Sequence, residues 1–198
     1  MRRSSNASRL GIRMFVAAVC VLQLAACADM QMGQPKPTLA TLTQLRSARL
    51  APMEVGAFTV DASRDAGIDQ AVSIRSNTLR SPVDGSFSHY LRESLRVELA
   101  SAGLLRPNAD SVVSGVLTES VVNAPIGTGT ASLGARFVVT RAGNVRYDRQ
   151  LNVNAEWDSP FVGVTAIPQA AGQYEGLYRK LVGELLMDPA FRNAVGSP

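Results

Sequence analysis

The 198-residue chain is poor in the residues that carry most enzymatic and metal chemistry: two cysteines, one histidine, one tryptophan and two lysines. Both cysteines, Cys20 and Cys27, lie near the N-terminus, so the rest of the chain has no thiol for a disulfide framework or a Cys-ligated zinc. His89 stands alone, without the second imidazole or cysteine that a ligand set at metal spacing would need. A serine triad would have to use that one imidazole, and Gly85-Ser86-Phe87-Ser88-His89 does not fit a strand-to-helix nucleophile elbow. A Ser-Lys dyad would rest on Lys180, since Lys36 lies in a proline-containing stretch. No apolar run is long enough to span a bilayer as a permanent helix.

The N-terminus, by contrast, is sharply patterned. Arg2, Arg3, Arg9 and Arg13 precede a nearly continuous apolar run from Met14 to Leu24, the n- and h-regions of a secretory signal. Arg2-Arg3 is followed by Ser4-Ser5-Asn6 rather than an apolar pair, which argues against twin-arginine export. The run ends in Leu24-Ala25-Ala26-Cys27, a tetrad that resembles the bacterial lipobox. That resemblance implies cleavage before Cys27 and lipidation of its sulfur. Residues 1–26 are then a signal peptide and the mature protein is anchored by acyl chains. Ala28 follows the cysteine where an aspartate would retain the protein in the inner membrane, so an outer-membrane, periplasm-facing location is expected. The formal charge of +4 also belongs to the leader. Removing its four arginines from the 20 basic residues leaves 16, against 16 acidic ones. A neutral mature chain gives no electrostatic reason to bind nucleic acid.

Residues 27–45 read as the lipidated cysteine and a flexible tether, with Pro35 and Pro37 opposing a helix. A single periplasmic domain is expected over 46–192 and a short tail over 193–198. Its clearest element is a hairpin. From Val145 to Trp157 apolar and polar residues alternate, with Arg149 the one exception, and Ala131 to Val139 alternate in the same way. Ala142-Gly143-Asn144 marks the turn. Phe87, Leu91, Leu95 and Leu99 recur at helical spacing between a Ser86 cap and Gly103. A longer stripe runs from Tyr174 through Leu177, Tyr178, Leu181, Val182, Leu185 and Leu186 to Asp188-Pro189. Further strands are expected at Met53–Val60, Gln70–Leu79 and Ser111–Val122. The order β-(β)-α-β-β-β-α predicts an α+β fold, an antiparallel sheet with two amphipathic helices on one face.

No catalytic residue, cofactor or metal is expected. Glu156 and Asp158 share one strand face, as solvated carboxylates commonly do. Gly127-Thr128-Gly129-Thr130 precedes a strand rather than a helix and has no Gly-Lys-Ser/Thr, so it is no phosphate loop. The candidate functional surface is the stretch from Trp157 to Pro168, which carries Trp157, Phe161, Val162, Val164 and Ile167 where loops are normally polar. Exposed, these side chains form an interaction patch; folded back, they seal the end of the core. An edge strand offers a second docking site.

The helix from Phe87 to Gly103, followed by Val113-Ser114-Gly115-Val116-Leu117, the segment Val145-Arg146-Tyr147-Asp148 and the C-terminal Tyr/Leu helix resemble the plan of small envelope lipoproteins. These include the YajG-like lipoproteins and the auxiliary lipoproteins of ABC-type envelope transport systems. The resemblance implies a non-enzymatic accessory of envelope transport or biogenesis, partnered by the membrane and an envelope protein complex. Alternatives are an activator of a cell-wall enzyme, an LptE-like lipopolysaccharide assembly component, or a small-ligand carrier.

Overall fold

The computed structural model describes residues 29–48 and 50–196; the expected signal peptide, residues 1–26, and the expected lipidation site Cys27 lie outside the described residues. In chain order the elements are β1 (Asp29–Gln31), α1 (Leu39–Ser47), β2 (Met53–Val60), a single 3-10 turn (Ala66–Asp69), β3 (Val72–Ile74), β4 (Asn77–Arg80), α2 (Phe87–Ser101), β5 (Ser111–Asn123), β6 (Gly127–Arg141), β7 (Asn144–Ser159), α3 (Gly163–Met187) and α4 (Pro189–Val195).

The expected α+β architecture is present. A four-stranded sheet has the order β2-β5-β6-β7, and α2 and α3 cover one of its faces. Phe87, Leu91, Leu95 and Leu99 of α2 and Tyr174, Tyr178, Leu181 and Leu185 of α3 are all buried to 0 % exposure. They pack with Val113, Leu117, Leu133, Phe137 and Val139 of the sheet in one core. The opposite face is wet. There Arg136 pairs with Asp148 (Nε to Oδ1, 2.6 Å) and Gln150 donates to Thr118 Oγ1 at 2.7 Å. The sequence signals that bound the helices act as read: Ser86 Oγ accepts from His89 N at 3.1 Å, and Gly103 at φ +73 ends the run after Ala102.

Three features differ from the sequence expectation. The sheet is mixed, because β2 pairs parallel with β5 while β5-β6 and β6-β7 are antiparallel. The α2 crossover returns the chain to the starting end before β5 begins, and such a connection gives parallel partners. The Gln70–Leu79 region is a small hairpin, β3-β4, turning at Arg75 and Ser76, and β1 adds to it parallel to β4.

The third difference concerns the tether. Residues 29–47 are packed onto the domain. Gly33 N donates to Glu175 Oε2 (3.1 Å) and Tyr90 OH donates to Gly33 O (3.0 Å). Met32 and Leu45 are buried. Thr38 caps α1 through its side chain, while its own N–H donates to Glu98 Oε1 at 3.0 Å. At the other end the domain continues past 192: Val195 is buried, and its carbonyl accepts from Ala51 N at 3.0 Å.

Arg149 sits on the edge strand β7, half exposed, with Nη1 3.5 Å from Asp188 Oδ2 and its guanidinium over the Tyr147 ring. Tyr147 OH also donates to Asp188 Oδ2, at 2.8 Å.

A candidate interaction surface at one end of the sheet

The residues considered for catalysis do not converge. His89 is exposed and its Nδ1 lies 3.2 Å from Asp84 Oδ2. Lys180 Nζ donates to the Asn154 carbonyl (3.1 Å). Glu156 and Asp158 are exposed on the outer face of β7. Among the described residues, no three His, Cys, Asp or Glu side chains form a metal-binding group.

The Gly-Thr-Gly-Thr stretch is the start of β6 and serves packing. A Cβ placed on Gly129 would fall 2.4 Å from Trp157 Cε2, so the absent side chain makes room for the indole.

Two polar groups lie deep within the core. Tyr174 OH links Ser120 Oγ (2.7 Å) to Tyr178 OH (2.8 Å), and burial raises both tyrosine pKa values far above the usual phenol range. Glu98 reaches inward from α2. Burial raises its carboxyl above the ordinary glutamate value, opposed by the Thr38 N–H bond, and its Oε2 has no partner. The cavity beside it, lined by Pro35, Tyr90, Tyr178 and Val182, amounts to about 10 Å³, room for roughly one water.

The Trp157–Pro168 stretch divides. Trp157 is the third-last residue of β7 and is 7 % exposed, and Ile167 packs against the core from the second turn of α3. These two seal the sheet end. Phe161, Val162 and Val164 do the opposite, at 76 %, 54 % and 83 % exposed. Val162 is the N-cap of α3 and has no side chain with which to cap it; its carbonyl accepts from Thr165 N and Ala166 N. Helix α3 thus begins inside the presumed loop and runs through Pro168.

Two contributors escaped the sequence reading. Ile126, 63 % exposed, directly precedes the final rung of the hairpin, where Gly127 pairs with Ser159. Arg75, at the β3-β4 turn with φ +55, fastens the whole end together. Its Nε donates to Ala124 O (2.9 Å), Nη1 to Phe161 O (3.0 Å), and Nη2 to Pro160 O (2.6 Å) and Ser159 Oγ (3.2 Å). One guanidinium therefore ties the segment leading to Ile126 to the segment leading into Phe161.

No protein-family model matches the chain, and no curated protein matches it. Solved structures do. A Xanthomonas campestris protein of the DUF330 family shares 14 % identity and a TM-score of 0.58, over 84 % of this chain and 96 % of that one. A putative lipoprotein of Caulobacter crescentus (15 % identity, TM-score 0.45, 80 % of this chain and 98 % of that one) is also similar. So is a minor lipoprotein of Acinetobacter baumannii (14 % identity, TM-score 0.45, 76 % and 99 %). Identities this low speak to fold and leave function to the site: the chain shares the α+β fold of the Xanthomonas campestris protein.

Proposed function

We propose that the protein is an outer-membrane lipoprotein, acylated on Cys27 and facing the periplasm, that works without catalysis as an interaction accessory in envelope transport or biogenesis. The observation that carries the reading is the junction at the N-terminus. Leu24-Ala25-Ala26-Cys27 closes an export signal, and a folded domain begins at Asp29, two residues beyond the cysteine. A stable anchor needs two or more acyl chains, which a lipidated N-terminal cysteine supplies. The scattered His89, Lys180, Glu156 and Asp158 offer no reacting centre, whereas the exposed Phe161 end offers a contact surface. The resemblance to YajG-like and transport-auxiliary lipoproteins implies the same non-enzymatic accessory role.

The test is metabolic labelling with an alkyne fatty acid, combined with envelope fractionation. The wild-type chain should carry label and sediment with outer membranes, and Cys27→Ala should lose both. Label retained in Cys27→Ala would refute the anchoring site. Affinity purification from detergent-solubilised envelopes then addresses the role. Co-purification of transport components supports the accessory reading, and recovery of a cell-wall enzyme replaces it with the activator alternative.

A further inference from the structure

Four large apolar side chains project from one end of the sheet. Ile126 lies before β6, and Phe161, Val162 and Val164 follow β7, each more than half exposed. Elsewhere exposed apolar residues such as Leu39 and Val145 are dispersed along the fold, as is ordinary for a soluble surface. At this end they belong to two segments that Arg75 holds together through Ala124 O and Phe161 O.

The chain also enters the fold here. Asp29 pairs with Thr78, and β1 runs parallel to β4, whose first residue, Asn77, adjoins the Arg75 turn. Asp29 is two positions beyond Cys27, a reach of at most about 7 Å. On the anchoring proposed above, the lipid attachment point therefore lies beside the apolar end. The opposite end of the hairpin, at Val145, is about 50 Å away along β7 at the usual strand rise. Charge does not draw this end to an anionic surface: Asp158 and Asp29 are both exposed there, and Arg75 is occupied by its four acceptors. What the surface offers is apolar side chains next to a lipid anchor, a combination suited to shallow insertion at the headgroup boundary.

We propose that the end bearing Ile126, Phe161, Val162 and Val164 rests in the lipid surface that holds the Cys27 acyl chains, so that the domain stands upright with its Ala142–Gly143 turn pointing away from the membrane. The inference rests on anchoring through Cys27.

The acylated chain provides its own test. With Cys20 removed in the leader and the Cys27 sulfur acylated, Phe161→Cys supplies the single free thiol, and Val145→Cys does so at the far end. Each variant, purified from envelopes, is labelled with a polarity-sensitive fluorophore and reconstituted into phosphatidylcholine–phosphatidylethanolamine vesicles with or without brominated acyl chains. The label at 161 should shift to shorter wavelength and lose most of its emission in brominated vesicles, while the label at 145 should do neither. Vesicle flotation with an unquenched label at 161 would overturn the proposal and leave the anchor standing. A blue shift at 161 without bromine quenching would assign the patch to a second protein copy and also overturn it. Failure to float, or a second labelled thiol at Cys27, would remove the anchoring reading and the proposal with it.

Discussion

Replacing Arg75 with lysine tests whether the apolar end is held by one guanidinium. Lysine keeps the charge and bears the same backbone cost at φ +55, since neither side chain is suited to the left-handed region. It cannot reproduce the fork. Of the acceptors now engaged, Ala124 O, Pro160 O, Phe161 O and Ser159 Oγ, a single ammonium can serve one or two. The carbonyls lie at a partly exposed end, so water replaces most of what is lost. Each bond then counts toward the low side of the ~0.5–1.5 kcal/mol typical of a net hydrogen bond. A loss of about 1–2 kcal/mol follows, a fall in Tm of about 2–8 °C for a domain of this size. Urea unfolding should show a lower midpoint at unchanged slope. Amide exchange should accelerate at residues 161–166 and stay unchanged in the α2 core. A Tm within a degree of wild type, with unaltered exchange at 161–166, would refute the fastening role.

Three further outcomes are expected. Tyr174→Phe should cost about 1–3 kcal/mol because it strands both Ser120 Oγ and Tyr178 OH, and Tyr178→Phe should cost less because Tyr174 keeps Ser120; urea midpoints that reverse this order would contradict the network. Glu98 has a folded-state pKa raised by burial above 4.5, so its contribution is fully present below about pH 4.5 and is lost as pH rises through the folded value. Glu98→Gln should accordingly gain stability relative to wild type between pH 4 and pH 7, and a flat difference across that range in urea titrations would count against the assignment. Ala142→Asn should stabilise by about 0.5–1 kcal/mol, since Ala142 and Gly143 both have positive φ (48° and 76°), the type I′ pattern that asparagine tolerates better than alanine; thermal unfolding reads this directly.

The features legible in the sequence are those written over short distances. The Ser86 cap, the four-residue spacing of Phe87 to Leu99, the period of two along β7 and the Ala142–Gly143 turn each need only a few neighbouring residues to declare themselves. Helix α1 was hidden because its burial is slight: Thr41 and Leu45 are inside, whereas Leu39 is 83 % exposed. No apolar stripe offsets the impression left by Pro35 and Pro37. The start of α3 was masked by Pro168, which lacks the N–H a helix interior uses. The packing of the remaining turns tolerates that omission.

At the candidate surface, Phe161, Val162 and Val164 were readable as exposed apolar residues. Trp157 faces inward as the period-two alternation from Val145 predicts, whereas Ile167 faces inward because the helix already starts at Gly163 and its periodicity rotates that side chain onto the core. Arg75 joins this end through bonds that span 49 to 86 positions of chain, and Ile126 joins it beside the pairing of Gly127 with Ser159. The Arg75 bond to Phe161 O alone spans 86. No local pattern reports such pairings.

The docking of residues 29–47 onto the domain changes what the protein can reach. A free segment of 19 residues would let the domain wander over a root-mean-square distance of about 25 Å, presenting any face to any neighbour. With Gly33 held by Glu175 and Tyr90, that freedom is already gone before a partner arrives. On the anchoring proposed above, every copy in the membrane shows the same profile at the same height, and encounters become diffusion in a plane. Little orientational entropy is then left to lose on association, so a modest interface at the outward end could capture a membrane-bound partner that a tethered domain would hold only weakly.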